Sequence, residues 1–163
     1  MFVITGIGLG HAMREAALIN ELKKRDKNLK VKIAGFQNSY NYFKDKYDTI
    51  RIKGSSFPQS SFSVSSTKVV IANLPYILYF IHDYIKLKKE IKKFKPDVII
   101  VDAQPIGSYV GKKLGIKTIS IYNLDLKTWD YYQENTKMPF TLYMQSRFHF
   151  KFVADAYNNS DLV

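Results

Sequence analysis

With 163 residues the chain is sized for one domain with a sizeable hydrophobic core, and its 46% hydrophobic and 15% aromatic content excludes a disordered chain. It has no cysteine, which excludes a disulfide framework and thiolate chemistry and fits a reducing compartment. A net charge of +11 and a pI near 9.6 point to anionic partners: nucleic acid, a phosphorylated ligand or acidic lipid.

In chain order, Phe2-Val3-Ile4 reads as a buried strand that begins with no signal peptide ahead of it. Gly6, Gly8 and Gly10 follow, and then a helical pattern carried by Ala12, Ala16, Leu18, Ile19 and Leu22, expected over residues 11–25. A strand, a glycine turn and a helix bring backbone N–H groups up to an anion in α/β proteins. The turn is not a dinucleotide fingerprint. Its spacing is G-x-G-x-G with His11 next, and the stretch Ala34-Gly35-Phe36-Gln37-Asn38 lacks the ribose-binding carboxylate.

Residues 30–34 alternate and predict a second strand, 39–46 a short helix, and 49–52 a third strand. The serine-rich stretch 54–66, with Phe57, Pro58, Phe62 and Val64, reads either as a surface loop or as a flap over a ligand. Residues 69–94 carry the longest helical pattern, with Ile77, Ile81, Tyr84, Leu87, Ile91 and Phe94 on one face. Lys86, Lys89, Glu90 and Lys93 fall on the other. That segment is too short in uninterrupted apolar residues to span a bilayer. Two readings stand: a core helix with a solvated basic face, or a segment that lies on an anionic bilayer through Tyr76, Tyr79, Phe80 and Lys86.

Pro96 ends the helix, and residues 97–101 read as a central strand buried on both faces. Asp102 comes at its carboxyl end, placed to cap the next helix, a role that does not exclude service in a site. That helix starts around Ala103-Gln104-Pro105 and closes at Leu114, with Gly115 as a left-handed cap. Residues 116–122 predict a further strand, 123–137 an aromatic, polar connection with Trp129, Tyr131 and Tyr132, and 140–157 a helix with Arg147 and His149. Asp161-Leu162-Val163 reads as a strand just beginning, so the chain is expected to continue into a further domain. Alternating strands and helices imply an α/β fold, a Rossmann-like doubly wound parallel sheet, as one domain over residues 1–163.

Two stretches carry a resemblance. Gly8-Leu9-Gly10-His11-Ala12-Met13-Arg14, continued by Ala17-Leu18-Ile19-Asn20-Glu21-Leu22, resembles the opening of GT-B glycosyltransferases. The similarity is to the family-28 group, which includes the peptidoglycan lipid N-acetylglucosaminyltransferases, and to archaeal relatives with a G-L-G-H-A-x-R opening. The second stretch is residues 95–106 with 114–119. The resemblance implies the N-terminal, acceptor-binding half of an inverting transferase, with the C-terminal donor-binding half absent from this chain. It implies His11 as the base that deprotonates an acceptor hydroxyl and Asp102 as the aspartate that orients it. Gly6, Gly8, Gly10, Arg14 and Gln104 are the implied acceptor or phosphate ligands. The implied co-substrate is a nucleotide-sugar, a UDP-sugar in first place, and the acceptor a lipid-linked or other hydroxyl. No cofactor and no metal are expected, and no His/Asp/Glu cluster has metal-ligand spacing. The expected location is cytoplasmic, with the membrane inner face as a candidate peripheral surface. The loop departs from these relatives at Ile7, where a polar or acidic residue is frequent.

Two other classes stay open on the residues alone. One is a stand-alone nucleotide-binding Rossmann domain, which needs the missing third glycine and acid. The other is a basic nucleic-acid-binding module, although the lysines are spread over several elements and no specific nucleic acid is expected.

Overall fold

The computed structural model describes residues 1–54 and 75–122, and beyond them Tyr131, Glu134, Asn135, Tyr143, Arg147, 154–156 and 158–162, with the side chains of Tyr76 and Ile77 set aside. The serine-rich stretch 55–66, the predicted helix start at 69–74, His149, and most of 123–137 and 140–157 lie outside the described residues.

Among the described residues the elements alternate strictly. They are β1 (Phe2–Ile4), α1 (Gly10–Arg25), β2 (Lys32–Gly35), α2 (Gln37–Phe43), β3 (Asp48–Arg51), α3 (Tyr76–Phe94), β4 (Val98–Asp102), α4 (Ile106–Leu114) and β5 (Lys117–Ile121). The strands form one sheet in the order β3-β2-β1-β4-β5, and every neighbour is parallel. The α/β, Rossmann-like fold expected from the sequence is therefore the fold. Most boundaries shift by one to three residues, as helix and strand ends usually do. The largest changes are at α3, which starts at Tyr76 with Pro75 as its N-cap where 69 was expected, and at α2, which starts two and ends three residues early.

The side-chain alternation of β1 feeds two cores, because successive strand residues point to opposite faces. Phe2 and Ile4 pack with Ala12, Ile19, Ile33 and Phe43 under α1 and α2. Val3 packs with Ala34, Phe36, Leu87, Ile91, Ile99, Val101, Ile106 and Val110 under α3 and α4. Helix α4 lies close on the sheet because Gly107 and Gly111 present no side chain there: a Cβ on Gly107 would be 2.7 Å from Val101 Cγ2. Helix α4 ends on Gly115 in the left-handed conformation, φ +66°, as the sequence predicts.

Helix α3 differs from the expected apolar face. Leu87 and Ile91 are buried and Phe80, Tyr84 and Phe94 pack on the same core, but Ile81 is 51% exposed, beside Leu78 and Ile85. The reason is Asp83, 2% exposed, whose carboxylate accepts hydrogen bonds from the backbone N–H groups of Lys53 (2.8 Å) and Gly54 (2.8 Å). Satisfying these buried amides fixes the rotation of the helix, and the second apolar stripe is left outside. Lys32 ties the other end of α3 to the sheet through Glu90 at 2.8 Å and Asp48 at 3.0 Å. Past β5, Leu162 forms a parallel bridge to Ile119, and Asp161 accepts from Thr118 N–H at 2.7 Å, as expected of a strand beginning there.

Candidate active site at the switch point of the sheet

The chain runs outward from β1 to β2 and β3, then returns to the centre to run from β4 to β5. Loops leaving β1 and β4 thus diverge, and a crevice opens between them at the carboxyl edge, where open α/β sheets bind ligands. Thr5 N–H donates to the Asp102 carbonyl at 2.9 Å and carries the β1–β4 pairing one residue past Ile4. The loop turns through Gly8, φ +73°, into α1. Helix α1 has Leu9 at its N-cap, no side-chain cap and no acidic residue in its first turn. Its leading N–H groups and partial positive charge are therefore directed at the crevice.

Two side chains 91 positions apart meet here: His11 Nδ1 lies 2.8 Å from Asp102 Oδ1. Asp102 is fully buried, whereas the His11 side chain is 20% exposed and reaches the surface of the crevice. A proton on Nδ1 donates to this carboxylate and leaves Nε2 as the open acceptor. Arg14, one turn further along α1, pairs through Nη2 with the same Asp102 Oδ1 and sits 3.2 Å from His11 Nδ1. Asp102 does not cap the next helix, whose N-cap is Pro105 without side-chain capping. Directly after Asp102 the backbone adopts φ +47° at Ala103, an uncommon conformation for a residue with a side chain.

Sequence reasoning missed Glu15. It is fully buried beside Arg14 and Asp102, with Arg14 Nε 3.6 Å from its Oε1. Burial pushes its carboxyl up to about 8, reinforced by the neighbouring Asp102 carboxylate and opposed by Arg14. A signal was present. Glu15 falls on the stripe of α1 defined by Ala12 and Ile19, both buried, so a carboxyl there is carried inward by helical spacing alone.

The other expected residues are distributed unevenly. Gly6 is buried against Phe36, while Gly8 and Gly10 have open space where a side chain would be. Gln104 is 5% exposed at the head of α4. On α3, Phe80 turns inward and stands edge-on to Tyr109, and Tyr79 and Lys86 are half-buried. The outward apolar residues of α3 are Leu78, Ile81 and Ile85 instead, and the Tyr76 side chain lies outside the described set. No described helix is long and apolar enough to cross a membrane. Beside the crevice, Leu9 and Met13 are 56% and 55% exposed, an apolar rim that the sequence pattern did not single out. A shallow depression lined by Ile91, Lys95, Pro96 and Ile116 lies at the opposite edge of the sheet, away from His11. Among the described residues no three His, Cys, Asp or Glu converge as a metal-binding group.

A parallel sheet of this order, with a glycine turn and a histidine paired to a buried aspartate at its switch point, defines a Rossmann-like domain of the kind that builds GT-B glycosyltransferases. In three dimensions it is similar to CalG4, the calicheamicin glycosyltransferase, with a TM-score of 0.57 at 13% identity over 85% of this chain and 37% of that one. A glycosyltransferase from Siraitia grosvenorii, solved with UDP, aligns at a TM-score of 0.45 and 18% identity over 74% of this chain and 26% of that one. Residues 1–145 match the family model described as Glycosyl transferase family 1, and the chain belongs to that family. A curated relative from Exiguobacterium sp. is 30% identical over 121 residues, 72% of this chain and 32% of the relative. Its name is UDP-N-acetylglucosamine--N-acetylmuramyl-(pentapeptide) pyrophosphoryl-undecaprenol N-acetylglucosamine transferase. The chain thus spans about a third of the length of that relative.

Proposed function

We propose that this glycosyltransferase domain is the N-terminal, acceptor-binding half of an inverting enzyme that moves a hexosyl unit from a UDP-sugar to a lipid-linked or other hydroxyl acceptor. The observation that carries the reading is the 2.8 Å contact of His11 Nδ1 with the buried Asp102. In the reaction, the acceptor oxygen attacks the anomeric carbon as the bond to the nucleotide diphosphate breaks, and that group leaves with the electron pair. The hydroxyl proton passes to His11 Nε2, and Asp102 stabilises the imidazolium that results. Attack opposite the leaving group inverts the anomeric centre. A base so placed is worth about 10²–10⁴-fold in rate.

The uncapped start of α1, with Gly8 and Gly10 unobstructed beside it, suits phosphate groups of the acceptor. The exposed Leu9 and Met13 suit apolar parts of a lipid-linked one. Arg14 belongs to the Asp102 cluster, so it acts on the acceptor by holding Asp102 before it acts by binding phosphate. The donor's nucleotide falls to a C-terminal half, since no carboxylate follows β2 to hold a ribose. That feature also favours this reading over a stand-alone nucleotide-binding domain. On this reading the chain by itself does not catalyse transfer. The cytoplasmic face of a membrane is the setting that a lipid-linked acceptor and the +11 charge favour.

His11→Ala in the complete enzyme tests the assignment. The expected result is a fall in kcat of about 10²–10⁴-fold, with a cost in stability of about 1–2 kcal/mol for the hydrogen bond to a buried charge. Turnover within a few-fold of the parent would overturn the assignment, and micromolar binding of a UDP-sugar to this chain in calorimetric titration would overturn the division of labour between the halves.

A further inference from the structure

Glu15 has no part in the chemistry above, yet it is fully buried one helical turn from His11. Three carboxyl oxygens at the centre of the site, Oε1 and Oε2 of Glu15 and Oδ2 of Asp102, are buried without an N–H or O–H donor. Two ionised carboxylates packed together there would offer only acceptors and would repel, and the single Arg14 guanidinium neutralises only one of them. A proton shared between them makes one group a donor and leaves one negative charge opposite Arg14. The proton belongs on Glu15, because Asp102 Oδ1 already accepts from His11 Nδ1–H at 2.8 Å and from Arg14. Asp102 is thus already in use as an acceptor, whereas neither Glu15 oxygen has a donor.

We propose that Glu15 is a positioning residue for the His11–Asp102 pair: a buried carboxylic acid that donates its proton to Asp102 Oδ2 and so keeps Oδ1 on His11 Nδ1. Its consequence for turnover rests on the reading of His11 as the base; the proton on Glu15 does not. Burial and the neighbouring Asp102 charge push Glu15 up to about 8, in keeping with the geometry. The charged and titratable groups that face Glu15 among the described residues are Asp102 from β4 and Arg14 from its own helix, with His11 one contact further on, at Asp102 and Arg14. When Glu15 loses its proton, a second negative charge appears beside Asp102 and competes with it for Arg14, which also touches His11.

The sequence has four glutamates, which suits selective 13C labelling of their carboxyl carbons. In a pH titration of this chain, the resonance missing from Glu15→Gln is expected to stay in the acid form through neutrality and to titrate near 8. Titration of that resonance near the ordinary value of 4.5 would overturn the proposal. The side-chain 15N signals of His11, assigned through His11→Gln, provide the second readout. In the parent they are expected to show the Nδ1–H tautomer and an extra inflection that tracks Glu15. Glu15→Gln, whose amide still donates to Asp102, keeps the tautomer and loses the inflection, whereas Glu15→Leu loses both. His11 signals that titrate alike in all three proteins would make Glu15 purely structural and overturn the positioning role. In the complete enzyme Glu15→Leu is expected to lower kcat by about tenfold at unchanged KM, the low end for a partner of a functional group. Retained turnover in His11→Ala would sink the base assignment and leave the Glu15 titration standing, so the two readings fail separately.

Discussion

The glycine turn carries three glycines for three different reasons, and single alanine substitutions separate them. At Gly6 an added Cβ would lie 2.1 Å from the Phe36 carbonyl oxygen and 2.8 Å from Phe36 Cδ2. Ordinary contact requires a shift of about 1 Å between the ends of β1 and β2, and because the nearest atom is backbone, no rotamer change relieves it. The cost is expected at the top of the overpacking range, about 3 kcal/mol, or a fall in Tm of roughly 10 °C for a domain of this size. Gly8→Ala meets nothing within 4 Å but must hold φ +73°, which costs about 1–2 kcal/mol. Gly10→Ala, also unobstructed and the first residue of α1, is expected to be neutral or to gain about 0.5–1 kcal/mol from the lower entropy of the unfolded chain. Urea and thermal melts of the three variants, side by side with the parent, give the order directly. A Gly6→Ala protein as stable as Gly10→Ala would refute the close approach of β1 to Phe36. It would return all three glycines to a purely ligand-facing role.

Glu15→Gln should change stability in a pH-dependent way. Below the ordinary value of 4.5 the acid is protonated in folded and unfolded chains alike, so its full contribution is present. As pH rises towards 8 the unfolded chain ionises first, and folding loses about 1.4 kcal/mol per pH unit, roughly 3 kcal/mol by neutrality. The Gln variant avoids this loss, so it should gain on the parent by roughly 3 kcal/mol between pH 4.5 and 7; a difference that is flat with pH contradicts the buried acid. Asp83→Ala leaves the buried N–H of Gly54 and that of Lys53 without an acceptor, and should cost about 2–4 kcal/mol. Asp83→Asn, which keeps one acceptor oxygen, should recover part of this, and equal denaturation midpoints for Asp83→Ala and the parent would show that the carboxylate does not set the rotation of α3.

Local pattern was enough for the order of elements. Phe2-Val3-Ile4, the stretch 97–101 and the glycines that end them are short-range signals, read at the periods of strand and helix. The parallel sheet followed from the alternation. Even the meeting of His11 and Asp102 was legible, because both follow central strands of a parallel sheet and such strands end on one edge. Packing decided the rest. Which face of α3 is buried could not be read from Ile77, Leu78, Ile81 and Ile85, since apolar residues go most of the way round the helix. The choice was made by Asp83, through backbone amides 29 and 30 positions away in sequence. The charge state of the site was likewise hidden. Arg14 and Glu15 are adjacent on a helix and look like an ordinary solvated pair. They come together with a third charge, Asp102, only because the start of α1 meets the carboxyl end of β4, which also buries Glu15 and Asp102 away from water.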